Sequence, residues 1–298
     1  MERNEVKDLN TITLHRTQSI SDYVMLMKPE LTLLSVSTAV ASAYIALRGS
    51  THYSLLIHTL IGTLLVGSAA GVLNQYIERR YDAMMKRTEH RPLPAGRIQP
   101  ADALFFGILL GIAGLSYLAI LTNWIAVALS VLTLVSYLAI YTPLKRTTPF
   151  ATLVGGIPGA LPPLIGWAVV QGRVSMEAWS LFFILFFWQM PHFLSLSWMY
   201  RKDYARAGYK LLVVIDSTGE IVSRQILVYC CALVPASLLP TLVGFTGYVY
   251  FTCTLILSLL FLTTGIVFFR EQSPSAARRI FYFSLLFLLL LFILLMLA

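Results

Sequence analysis

Three oxygen-bearing side chains, Asn74, Glu78 and Asp82, follow one another at intervals of four in the stretch NQYIERRYDAMMKRTEHRPLPAGRI. At about 100° of rotation per residue, steps of four hold them within roughly 80° on one helical face. Two carboxylates and an amide facing one way make an all-oxygen site, which suits Mg²⁺ rather than zinc or copper. Lys86, Arg87, Arg91 and Arg97 follow at once. Oxygen ligands for a hard cation beside a cluster of guanidinium groups describe a diphosphate site, because Mg²⁺ bridges phosphate oxygens and the Arg fork binds them bidentately. The same residues also fit the solvated end of an interfacial helix resting on anionic lipid, and their spacing does not choose between the two.

Two further groups carry the same chemistry. Tyr141 and Lys145 are four apart in YTPLKRTT and share a face if the helix continues past Pro143; a snorkelling Lys with an interfacial Tyr is the plainer reading. Arg201, Lys202, Asp203 and Arg206 lie together in YRKDYARAG, a second basic and acidic cap. Elsewhere, ATLVGGIPGALPPLIGW packs Gly155, Gly156, Pro158, Gly159, Pro162 and Pro163 into one apolar segment, and WQMPHF places Gln189 and His192 around Pro191. Breakers and polar side chains at membrane depth point to a shared pocket. For His192 the plain alternative is a hydrogen bond to a carbonyl released by Pro191.

The elements that must position these residues follow from composition. The 298-residue chain is 57% apolar and 12% charged, where a soluble domain is roughly 45–50% apolar and about 25% charged. About nine apolar runs approach the roughly 20 residues that span a bilayer: 31–47, 55–77, 101–121, 124–141, 151–170, 179–199, 226–245, 248–269 and 280–297. The remainder is too short for a sizeable water-soluble domain, which excludes a large ectodomain, a tethered soluble enzyme and a nucleic-acid-binding module. The expected architecture is all-α and polytopic: a cytoplasmic tail over 1–28, then one transmembrane domain over 29–298 whose helices surround an intramembrane cavity with a cytoplasmic-side cap.

The net charge of +8 is then topology. All of the 22 Lys and Arg except Arg48 and Arg173 fall on the side that holds the N-terminus, which places that side in the cytoplasm. The longer loops, at about 78–100 and 200–224, lie there too, so polar chemistry is expected on that face. Residues 1–20 mix Glu2, Glu5 and Asp8 with Arg3, Lys7 and Arg16 around no apolar core and read as no targeting segment. Cys230, Cys231 and Cys253 lie inside spans as small packing residues.

Asn74-x₃-Glu78-x₃-Asp82 with Tyr141-x₃-Lys145 resembles the intramembrane prenyltransferases of the UbiA superfamily. Within it, Asp82 through Met85, Arg87, Thr88 and Arg91-Pro92-Leu93, with GGIPGALPPLIGW, WQMPHF, KDYARAG and ARRIFYFSLL, resembles the protoheme IX farnesyltransferases (haem O synthases) over nearly the whole chain after residue 20. Two places depart from that pattern: Glu78 stands where Asp is usual, and Tyr209-Lys210-Leu211-Leu212 replaces an Ile-Pro-Met-Leu-Pro-like run.

The resemblance implies transfer of farnesyl from farnesyl diphosphate to a vinyl carbon of haem B, with water completing haem O, in a bacterial inner membrane. It implies Mg²⁺ on Asn74, Glu78 and Asp82; diphosphate contacts from Arg87, Arg91, Tyr141, Lys145 and Lys202; a part for Asp203; and His192 binding the haem iron or positioning the water. A haem A synthase or terminal oxidase is the implied protein partner. The competing expectations are a quinone-pathway prenyltransferase with another aromatic acceptor, which does not call for WQMPHF, and a secondary transporter, which calls for an internal repeat that the sequence does not show.

Overall fold

The computed structural model describes residues 19–298; the earlier part of the expected N-terminal tail, with its mixed charges read as no targeting segment, lies outside the described residues. Among the described residues there is no strand. Nine helical stretches among these residues are long and apolar enough to cross a membrane: α2 (Pro29–Leu47), α3 (Ser54–Asp82), α4 (Pro100–Leu121), the composite Trp124–Leu144, α7 (Ala151–Gln171), α8 (Met176–Met199), α11 (Glu220–Leu242), α12 (Tyr248–Glu271) and α13 (Pro274–Leu297). The chain is thus a polytopic, all-helical membrane protein. The composite stretch is α5 (Trp124–Val135), a π-helical segment (Ser136–Tyr141) and α6 (Thr142–Leu144). Short helices α1 (Ile20–Leu26), α9 (Arg201–Arg206) and α10 (Leu212–Ile215) complete the set.

Local chemistry sets the ends. Proline opens α2, α4 and α13, where its missing N–H costs nothing. Asn123 caps α5 by accepting from the Ala126 N–H at 3.0 Å. Asp216 accepts from the N–H groups of Gly219 (3.0 Å) and Val222 (2.8 Å) and so starts α11. Burial pushes its carboxyl up, but the donors at Val222 and Gly219 outweigh this and hold it below the usual range.

Two groups of helices share a seam. Helix α3 lies between α4 and α2, and α7 packs on α2 and α5; α8 packs on α11 and α13, with α12 between those two. The seam is α7 on α8, and both are 67% buried over their apolar windows, against 22% for α4 on the rim. Without a hydrophobic drive between helices in lipid, small residues allow the close approach. A Cβ at Gly166 of α7 would collide with the backbone carbonyl of Ala39 on α2.

The same logic changes the reading of the proline- and glycine-rich span. It is one continuous helix whose glycines receive neighbouring side chains: the Tyr141 ring at Gly155, Met190 and Phe186 at Gly156, and Gln189 at Gly159. Gln189 donates to the Gly156 carbonyl at 2.7 Å, and Ser42 to that of Pro163 at 2.7 Å. These breakers serve contact between packed helices.

Candidate active site

Helix α3 runs unbroken through Asp82, five residues beyond the expected end of its span, so the three candidate ligands stand on regular helix. All three are buried: Asn74 at 0%, Glu78 at 6% and Asp82 at 1% exposure. Buried carboxylates need paired charge, and each oxygen donor has a basic partner. Lys28 Nζ donates to Asn74 Oδ1 at 2.5 Å. Lys145 Nζ donates to both Glu78 oxygens at 2.9 and 3.2 Å. Arg91 Nη1 donates to Asp82 Oδ2 at 2.7 Å. Three oxygens in a file face three cations from three other parts of the chain.

Each partner is held by its own element. Lys28 joins α1 to α2 with a left-handed backbone (φ 51°), strained for a side-chain-bearing residue. Gln75 fastens that turn by donating to the carbonyls of Met25 (3.0 Å) and Leu26 (3.1 Å), and Thr32 by donating to that of Met27 (2.7 Å). Part of the expected tail, residues 20–28, therefore reaches the site. Burial, then the neighbouring Arg91 charge, pulls the Lys28 ammonium down to about 7. The loop after α3 folds back because Thr88 donates to the Asp82 carbonyl (2.9 Å), which aims Arg91; Arg97 instead pairs with Asp22 at 2.7 Å.

The helix carrying Tyr141 does continue past Pro143, through the π-helical segment. Lys145 Nζ lies 4.5 Å from the Tyr141 ring centroid. Burial lowers the affinity of Lys145 for its proton, yet the Glu78 charge outweighs it and keeps the ammonium well above its ordinary range. Between them Thr142 accepts from Asn74 Nδ2 at 2.9 Å and donates to the Tyr137 carbonyl at 2.8 Å. That fixes the amide so that Oδ1 points away from Thr142, toward Lys28.

The second cap meets the first through aromatic groups. Tyr209 donates to Glu78 Oε1 at 3.2 Å; burial first, then the Glu78 charge, raises the phenol above its usual value. Arg87 donates to Tyr204 at 3.3 Å and lies 5.2 Å over the Tyr200 ring. Its contacts are thus with the cap, not with the carboxylate file. Lys202 lines a hollow of about 210 Å³ with Arg201, Asp216 and Ser217, and Asp203 pairs with Arg206 at 3.4 Å.

His192 is buried and stacked between Trp188 (4.9 Å) and Phe281 (4.8 Å). Its Nδ1 is 2.7 Å from Ser284 Oγ, not on a carbonyl released by Pro191. Ser284 already donates its one proton to the Phe281 carbonyl at 2.6 Å. With the Ser284 hydroxyl engaged in that way, the hydrogen-bond network assigns the proton to Nδ1 and the lone pair to Nε2.

Residues 35–294 match the UbiA prenyltransferase family. The chain belongs to that family. Curated relatives include protoheme IX farnesyltransferases of Solibacter usitatus (44% identical over 82% of this chain and 87% of the relative) and Salinibacter ruber (44% over 85% and 89%). Among solved structures, a digeranylgeranylglyceryl phosphate synthase superposes with TM-score 0.78 at 16% identity, covering 93% of this chain and 97% of that one. A UbiA homologue of Archaeoglobus fulgidus bound to GPP and Mg²⁺ gives 0.62 at 14%, covering 92% and 99%. At those identities the structures show the shared fold.

Sequence reasoning did not single out Lys28, Thr142 or Tyr209 as site residues. Lys28 was visible only as a charge at a Pro-begun span, Thr142 lies inside YTPLK, and Tyr209 stands at a departure from the resembled pattern.

Proposed function

We propose that this UbiA-family protein transfers a farnesyl group from farnesyl diphosphate to the vinyl group of haem B, with addition of water, giving haem O and diphosphate. The observation that carries the reading is the file of Asn74, Glu78 and Asp82 with a basic side chain on each residue. The acceptor is supported by the 44% identity to relatives named protoheme IX farnesyltransferase.

The donor set fits a hard divalent cation. Among the described residues no cluster of three or more His, Cys, Asp and Glu makes a ready cage. Two carboxylates and an amide would hold Mg²⁺ together with the phosphate oxygens of the substrate, which is how Mg²⁺ usually serves phosphate chemistry. Asn74, Glu78 and Asp82 would hold it, and the bound ion would neutralise charge on the leaving diphosphate.

The remaining steps fall to the chain. Lys28, Arg91 and Lys145 leave their carboxylate and amide partners for phosphate oxygens, and the site stabilises the leaving group by prearranged positive charge. Arg87, from the loop after α3, and Lys202, from the cap, bind phosphate, with Asp203 orienting the cap segment. Beside Lys145, the Tyr141 ring abuts Gly155 of α7, and Phe186 abuts the adjacent Gly156, so aromatic rings stand next to the site where the isoprenoid would enter. Such rings shield an allylic cation at roughly 0.5–2 kcal/mol per contact. His192 offers its Nε2 lone pair to the haem iron or to the water that completes the product.

The bias of Lys and Arg supports placing this face and the N-terminus in the cytoplasm, the bacterial relatives support an inner membrane location, and the family match over residues 35–294 supports residues 29–298 acting as one domain. A haem A synthase or terminal oxidase would take the product. Chromatography of haems from membranes that make no haem O of their own tests the reading. Haem O should appear with the wild-type chain and vanish with Asp82→Asn while the variant still inserts. Full activity of Asp82→Asn would overturn the site, and a prenylated aromatic acid in place of haem O would overturn the acceptor.

A further inference from the structure

Glu78 Oε1 is shared between two elements: Lys145 from the end of the fourth span, and Tyr209, which lies 131 residues from Glu78 in the turn between α9 and α10. The next residue, Lys210, donates its backbone N–H to the Lys145 carbonyl at 2.9 Å. Two consecutive cap residues therefore touch both members of the Glu78–Lys145 ion pair. The Tyr209 ring is itself fixed: it packs edge-on to Tyr204 at 5.7 Å and tilted against Tyr81 at 5.8 Å, and is 3% exposed. Tyr81 follows Glu78 on α3, and Tyr204 receives Arg87, so the phenol stands inside a rigid aromatic frame.

The two departures from the resembled pattern meet at this point. Glu78 is one methylene longer than Asp, which carries its carboxylate further from α3. A proline at 210 would have no N–H to give to Lys145.

We propose that Tyr209 is a positioning residue. Its hydroxyl holds one oxygen of Glu78 in place while Lys145 is free to turn to phosphate, and the same bond fastens the cap segment 200–216 over the site. The inference rests on Glu78 being a metal-diphosphate ligand as proposed above. Loss of the bond weakens metal binding and loosens the cap without removing a ligand or a charge.

The test uses full-length protein in lipid nanodiscs. Tyr209→Phe keeps the ring and removes only the hydroxyl, so it should elute as wild type. One lost hydrogen bond to a charged group predicts about a tenfold weaker Mn²⁺ affinity by calorimetry with inorganic diphosphate present. Amide hydrogen exchange over 200–216, measured without metal, should quicken by a similar factor. The Mg²⁺ concentration at half-maximal velocity should rise about tenfold with saturated turnover changed less than about threefold. Glu78→Asp, pulled back from the phenol, should show the same loss, and Tyr209→Phe added to it should bring no more. Wild-type Mn²⁺ affinity and cap exchange in Tyr209→Phe, with Glu78→Gln binding no Mn²⁺, would overturn the role of Tyr209 alone; so would additive losses in the double variant. Wild-type Mn²⁺ affinity in Glu78→Gln would overturn the site reading itself.

Discussion

Replacing Lys145 by methionine keeps an unbranched side chain of similar length and removes the charge facing Glu78. The Lys145 and Glu78 side chains are 13% and 8% exposed, so solvent screens the pair little. Removing one partner of a buried pair costs about 3–5 kcal/mol because the other charge is stranded. Glu78 keeps the Tyr209 hydroxyl at 3.2 Å, which favours the low end, about 3 kcal/mol. A 298-residue chain unfolds with an entropy of about 0.6 kcal/mol/K, so the melting temperature should fall by about 5 °C. Adding Glu78→Gln removes the stranded charge and should bring the double variant back to within about 2 °C of wild type, a recovery of roughly 2 kcal/mol. The assay is thermal unfolding by intrinsic fluorescence in one detergent at one fixed scan rate, since membrane proteins often unfold irreversibly. A wild-type melting temperature for Lys145→Met, or a double variant that falls by the sum of the singles, would refute the claim that this pair neutralises buried charge.

Three other outcomes follow from the geometry. Chelation by EDTA should stop haem O formation, with Mg²⁺ restoring it at lower concentration than Ca²⁺, because two carboxylates and an amide leave too few ligands for the larger ion; chromatography of extracted haems reads the result. Ser284→Ala should lower turnover several-fold by stranding His192 Nδ1, and His192→Ala at least as far; unchanged yields in both would make the pair packing alone. Gly166→Ala should cost at least about 1–3 kcal/mol by driving a methyl into the Ala39 backbone. Gly172→Ala, at φ 63° with open space around it, should cost only the left-handed strain of about 1 kcal/mol, as melting temperatures will show.

Much of this architecture was legible because bilayer thickness constrains sequence harshly. The nine expected spans and the nine long helices among the described residues correspond one to one, with ends moving by at most a turn or two. The oxygen file was legible for a similar reason, since a four-residue step has one geometry on a helix. What escaped was the pairing. Lys28, Lys145, Arg91 and Arg97 look alike as charges, and which side-chain oxygen each meets depends on a left-handed turn, a π-helical segment and a folded-back loop. The breaker-rich span escaped differently: glycine is needed both for a broken helix lining a cavity and for a straight helix in close contact, and only the neighbours decide.

The π-helical segment at Ser136–Tyr141 can be understood as a phase shift. A π turn carries one residue more than the same length of α-helix needs, and one residue is about 100° of rotation. Without it, Thr142 and Lys145 would leave the fourth span about a quarter-turn away from Asn74 and Glu78. Alignment of the two helices is therefore written into the backbone as a count of residues, and the deletion of a single one upstream of Thr142 would misdirect side chains that remain chemically unchanged.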